Sequence, residues 1–182
     1  MHETAGALAL FTNCYAACLA TARAVRYAGE KWRNSLVSEQ TRTDSAPTLH
    51  RTVAYWWYIL AQSACYWGVR TAERSLFRWG VSLYGHAIRT WPQFAQAYYR
   101  RGLIRGRELS QHREALADLT HAIALEPEWP EPYLQRGLFQ RFHGDPRAAV
   151  TDLEQYLALG GDVYWRLEAE RQIRMVREEI GE

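Results

Sequence analysis

Three groups of side chains in this sequence have the reactivity and spacing from which a chemical site could be assembled. Cys14 and Cys18 stand four apart, so on a helix both thiols share one face, as a metal pair would require. His112, His121 and His143 place three imidazoles in one region, and Asp118 and Asp152 offer two carboxylates of the kind used in general acid–base work. None of these completes a site. Zinc would need two further ligands, and no histidine lies near enough to the cysteines to give a known spacing. The histidines fall near helix ends or on polar stretches, with no carboxylate or nucleophile at catalytic spacing, so they are expected at the surface. Asp118 and Asp152 are equivalent positions of an internal repeat, and pairing them as acid and base would mistake a period for a site. No P-loop, GxGxxG, HExxH or GxSxG motif occurs. The chain is expected to be no enzyme and to carry no metal or cofactor.

Binding chemistry is what the sequence holds in quantity. Of its 22 basic residues only Lys31 is a lysine, and arginine favours planar, bidentate contacts. Eight tryptophans and eleven tyrosines suit a packed helical core, a binding groove or a membrane interface. With 48% hydrophobic and 23% charged residues, the 182-residue chain belongs to the globular class and is one domain in size. A net charge of +2 gives no reason to expect nucleic acid as a partner. Three cysteines are too few for a disulfide framework, and the odd count suits a reducing compartment. The opening "MHETAGALALF" lacks the basic start of a secretory signal, so a cytoplasmic location is expected.

These residues are positioned by a repeat. "QAYYRRGLIRG" (Gln96 to Gly106) and "EPYLQRGLFQR" (Glu131 to Arg141) share a tyrosine, an Arg-Gly pair and a following leucine. Gly102 and Gly137 lie 35 apart, while Ala115 and Ala149, and Leu119 and Leu153, lie 34 apart. The period extends back to Gly68 and Pro92, with one residue of slack around Gly106 and Arg107. Each unit reads as two helices. In the second, Tyr98, Leu103 and Ile104 mark a first helix, and Leu109 to Gln111 a break. Ala115, Leu116, Leu119, Ala122 and Ile123 then form the stripe of a second. "ALEPEWPEP" ends it, because proline cannot continue a helix. In the third unit the break is "HGDP", where Gly144 is expected at positive φ, Asp145 as a cap and Pro146 in the first turn. Glycine inside a helix costs about 1 kcal/mol relative to alanine, so its recurrence at one period predicts close helix–helix approach.

The tyrosine and Arg-Gly phrase, the alanine and leucine of the second helix and the closing proline resemble the tetratricopeptide repeat family, over residues 61–162. The first unit departs from its successors by placing Gly80 where they have Ala115 and Ala149. The resemblance implies an all-α fold, a right-handed superhelix of antiparallel helix pairs whose first helices line a concave face. The expected organisation is an N-terminal helical hairpin at 1–60 with a polar turn at 38–48, then repeats at about 61–94, 95–129 and 130–162. A capping helix follows at 163–182, with Trp165, Ala169, Ile173, Val176 and Ile180 on its inner face.

The resemblance also implies a function, an adaptor that binds a peptide or helical segment. Its groove would comprise Tyr66, Val69 and Glu73; Gln96, Tyr99, Arg100, Leu103 and Arg107; and Glu131, Leu134, Gln135, Leu138, Arg141 and Phe142. Family members that grip C-terminal carboxylates use lysine, asparagine and arginine at defined positions. Here those positions read Cys65, Val69, Arg100, Glu131 and Gln135, so only Arg100 can serve. The expected partner is a protein segment with apolar anchors and acidic residues. The alternative is a membrane-peripheral assembly factor or accessory subunit attached through the N-terminal helices, although the uncharged stretches at 5–22 and 53–69 are too diluted by polar residues to be convincing membrane spans.

Overall fold

Proline, glycine and capping residues set the ends of the helices in the computed structural model, which describes residues 45–181. Seven α-helices are the only regular elements among the described residues: α1 (Ser45–Thr71), α2 (Arg74–Thr90), α3 (Ala95–Arg107), α4 (His112–Leu125), α5 (Pro130–His143), α6 (Pro146–Ala158) and α7 (Val163–Ile180). Pro130 and Pro146 occupy first turns, where a missing N–H breaks no helical bond. Asp145 Oδ1 accepts from Arg147 N at 2.9 Å and Asp162 Oδ1 from Tyr164 N at 3.0 Å, each satisfying an otherwise unpaired donor.

Gly144 is not at positive φ. Its φ is −148°, because the Asp145 cap starts α6 directly after α5 without a left-handed turn. Left-handed residues stand instead in the corresponding links of the two earlier repeats, Ala72 at φ 55° and Ser110 at φ 57°. Residue 60 is the expected boundary between the hairpin and the first repeat. It falls inside α1, which runs unbroken because positions 52–67 contain neither proline nor glycine. Of the expected turn at 38–48, residues 45–48 belong to α1, while the rest of the turn and the part of the expected hairpin before it lie outside the described residues.

Successive helices pack in pairs, α1 with α2, α3 with α4 and α5 with α6, and α7 closes on α6. Close approach at the glycines makes this possible. A Cβ on Gly102 would sit 3.2 Å from the Ala115 carbonyl and 3.3 Å from Leu119 Cγ; on Gly137 it would sit 3.2 Å from the Ala149 carbonyl and 3.0 Å from Leu153 Cγ. Gly80 has the matching use in the first pair, where a Cβ would fall 2.4 Å from Cys65 Sγ. The first pair thus has a glycine at the contact on each helix, Gly68 against Phe77 and Gly80 against Cys65.

The arginine of each Arg-Gly phrase explains the rest of the repeat. Arg101 grips Asp118 through two hydrogen bonds, Nε at 2.9 Å and Nη2 at 2.6 Å, and Arg105 adds a third at 2.8 Å. Arg136 grips Asp152 at 2.7 and 2.6 Å and donates to Thr120 Oγ1 at 3.0 Å, so it ties α4, α5 and α6 together. Both aspartates are buried, and each is the charge partner that lets its arginine sit between helices. Apolar cores lie on either side of these clamps. Tyr58, Phe77, Leu83, Tyr84 and Phe94 fill the first, and Leu134, Leu153, Tyr156, Ile173 and Val176 the second.

Candidate functional site

The first helices of the pairs adjoin along one face, and polar contacts cross between them. Burial pulls down the proton affinity of the Arg100 guanidinium on α3, but Tyr58, Tyr99 and Tyr84, with a hydrogen bond to Tyr58 on α1, more than offset this and raise it overall. Arg107 Nη2 on α3 donates to Gln135 Oε1 on α5 at 2.7 Å. Tyr99 packs against Trp129, ring centroids 4.7 Å apart, and Arg100 lies 5.9 Å from the Tyr99 centroid. Burial pushes the Tyr99 phenol up, against the pull of Arg100 and Arg107, so its hydroxyl remains a neutral donor. Cys65 is buried on the same side. Burial, then Glu108, push its thiol up to about 12 against the pull of Arg100, which makes it an inert core residue.

Tyr99, Arg100 and Arg107 are thus brought together, with half-buried Gln96 on the same helix and exposed Glu131 opposite. Four of the expected groove residues are committed to packing. Leu103 is buried. Leu134 is buried and Leu138 half-buried in the cluster that α7 covers. Gln135 is buried and already held by Arg107. Arg141 is corrected more sharply. Its side chain is only 6% exposed, paired with Glu179 of α7 at 2.7 Å and hydrogen-bonded to Gln172, so the terminal helix already occupies it. Phe142 beside it remains exposed, and Tyr66 is exposed on α1 against Trp67. Val69 and Glu73 are exposed as well, and Glu73 caps α2.

Two residues of the cluster, Tyr58 and Trp129, are not among the expected groove residues. Trp129 lies in the proline-rich link, eight residues before Gly137, as Phe94 lies eight before Gly102; the repeat register was the signal that could have found it. The histidines gather no site. His112 stacks on His143 with centroids 3.4 Å apart, His121 meets Tyr98 edge-on, and no group of three metal-ligating side chains forms among the described residues. Cys14 and Cys18 lie outside the described residues. No described helix is long and apolar enough to cross a membrane.

No protein-family profile matches the chain. No curated protein matches it either. Solved structures do. The second TPR domain of human RPAP3, in complex with the HSP70 peptide SGPTIEEVD, is 18% identical at a TM-score of 0.56, covering 68% of this chain and 98% of that one. The Arabidopsis OM64 TPR domain is 18% identical at 0.59, covering 71% and 98%. The Yersinia enterocolitica type III secretion chaperone SycD, in complex with a peptide of the translocator YopD, is 9% identical at 0.61, covering 70% and 95%. The fold is therefore that of the tetratricopeptide repeats.

Proposed function

We propose that this tetratricopeptide-repeat chain is a non-enzymatic adaptor that binds a segment of a partner protein on the face of its first helices. The observation that carries the reading is the cluster of Arg100, Arg107, Tyr99 and Trp129. It sets two guanidinium groups beside two aromatic rings on neighbouring helices, the composition enriched at binding hot spots. An extended or helical segment with an acidic residue flanked by apolar ones complements it. RPAP3 and SycD, which share the fold, are each in complex with a peptide, and this supports a peptide-binding role.

Recognition differs from capture of an acidic C-terminus by a ring of cations. Of the five positions that would form that ring, Cys65 is buried, Gln135 is held by Arg107, and Glu131 repels carboxylates. Arg100 alone offers positive charge there, so apolar contact with Tyr99 and Trp129 must supply most of the affinity. The cytoplasmic location expected from the opening residues and the odd cysteine count is part of the same proposal, with a membrane-peripheral one as the alternative. The test is selection of peptides from a random display library on the intact protein. Enrichment of sequences with an acidic residue next to aromatic or aliphatic ones supports the reading, and enrichment of basic or purely polar sequences refutes it.

A further inference from the structure

The outer face of α1 carries a second interaction surface. Leu49, Val53, Trp56, Leu60, Ser63 and Trp67 follow one another at steps of four, three, four, three and four, the spacing of a helix–helix seam. All are exposed, Leu49 to 67%, Trp56 to 64% and Trp67 to 58%. Positions 52–69 contain no charge, so α1 is apolar on its outer as well as its inner side, a pattern that belongs to a covered helix. The repeat register says the same. Counting back from Gly68, Gly102 and Gly137, Ser63 corresponds to Ala97 and Pro132, both fully buried, and Leu60 to Phe94, which is 3% exposed, and to the half-buried Trp129. The stripe is the stacking face of a repeat array, with no further helix on it among the described residues.

We infer that a second copy of this chain covers it, with two α1 helices packed antiparallel about a two-fold axis passing between Ile59 and Leu60. Such an axis pairs positions adding to 119; two of the pairs set tryptophan against a small hydroxyl residue, and at the ends Leu49 meets the aliphatic stem of Arg70. Trp56 of each copy meets Ser63 of the other, Trp67 meets Thr52, Leu60 meets Ile59 and Val53 meets Tyr66. Facing positions that alternate in size interdigitate without voids, and an isologous contact needs this self-complementarity. The seam's central hydroxyl adds no unpaired donor, because Ser63 Oγ donates to the Ile59 carbonyl at 3.0 Å. Arg51 lies 5.3 Å from the Trp91 ring, on the flank of α1 away from the seam. The exposed parts of the stripe with Tyr66 come to roughly 700 Å² per chain, close to the about 800 Å² each partner contributes to a standard interface.

The test is the mass of the full chain by sedimentation equilibrium at tens of micromolar, for the wild type, Ser63→Trp, and Ser63→Trp combined with Trp56→Ser. The expected wild-type mass is twice the 21.1 kDa of one chain. Ser63→Trp blocks the seat of the partner's tryptophan and should weaken dimerisation by at least about tenfold, and the reciprocal exchange should restore it. Helical circular dichroism should be unchanged in both variants, since position 63 is exposed. A monomeric wild type overturns the inference, and if it pellets with phosphatidylcholine–phosphatidylserine vesicles the stripe belongs to a lipid surface. A dimer indifferent to Ser63→Trp, or not restored by the exchange, overturns the proposed seam.

Discussion

Removing Arg136 should be the most damaging single change at the arginine clamps. The Asp152 side chain is 7% exposed and receives both of its resolved hydrogen bonds from Arg136, which is itself 18% exposed. Arg136→Ala leaves that carboxylate buried and without its partner. Breaking a buried pair from one side costs about 3–5 kcal/mol, and the partial exposure of Arg136 places the loss near the lower bound, about 3 kcal/mol. Arg101→Ala is the internal control, because Arg105 stays 2.8 Å from Asp118; about 1 kcal/mol should be lost there. At about 2–4 °C per kcal/mol for a chain of this size, the expected falls in Tm are about 6–12 °C for Arg136→Ala and about 2–4 °C for Arg101→Ala. Replacing the pair together, Arg136→Met with Asp152→Leu, should return most of the loss. Calorimetry with parallel urea titrations measures all three. Equal losses for the two single variants, or less than about 1 kcal/mol for Arg136→Ala, would refute the view that the two clamps differ by one redundant arginine.

Three further outcomes are expected. Cys65, Tyr84 and Tyr99 all have acid groups raised by burial, so their contribution to stability is complete below the unfolded-state values of 9.0 and 10.0 and is lost as pH climbs through the folded ones. Urea midpoints should therefore show no loss from these groups through neutral pH and should fall above about pH 9, with Cys65→Ala moving the onset upward. Arg141→Ala should loosen α7 and cost about 1–2 kcal/mol by urea titration, because the side chain is buried although Glu179 is half exposed. Removing residues 163–182 should uncover Leu153, Tyr156 and Leu157 and cause association in light scattering; a truncated chain as soluble and heat-stable as the intact one would count against α7 as a cap.

The helix pairs were legible because glycine, proline and capping residues act locally, and the step from Gly102 to Gly137 fixes the register of everything between them. The candidate site was legible only in part. Arg100, Arg101, Arg105, Arg136 and Arg141 look alike in sequence, yet three of them clamp aspartates, one is held by α7 and one faces the tyrosines. Their fates depend on partners 13 to 42 residues away, such as Asp118, Glu179 and Tyr58, which no local pattern reveals. Leu134 and Leu138 were expected in the groove for a related reason. They hold groove positions of a middle repeat, but the third repeat is the last, and α7 turns that face into core. Gly144 shows a limit of reading a turn by residue type, since an Asp cap beside it removes the need for a left-handed residue.

The central claim is that Arg100 and Arg107, with Tyr99 and Trp129, form the binding face. Its most direct test is the dissociation constant of one library-selected peptide for the wild type, Arg107→Ala, Tyr99→Ala and Arg141→Ala, with folding checked by circular dichroism. Loss of a hot-spot side chain commonly costs about 2 kcal/mol, so Arg107→Ala and Tyr99→Ala should each weaken binding about 30-fold. For the wild type, affinity should fall as salt rises, and that dependence should shrink in Arg107→Ala. Arg141→Ala should leave the constant within about twofold, because that guanidinium is already committed to Glu179 and Gln172. Unchanged affinity in Arg107→Ala and Tyr99→Ala, with both variants folded, would contradict the account.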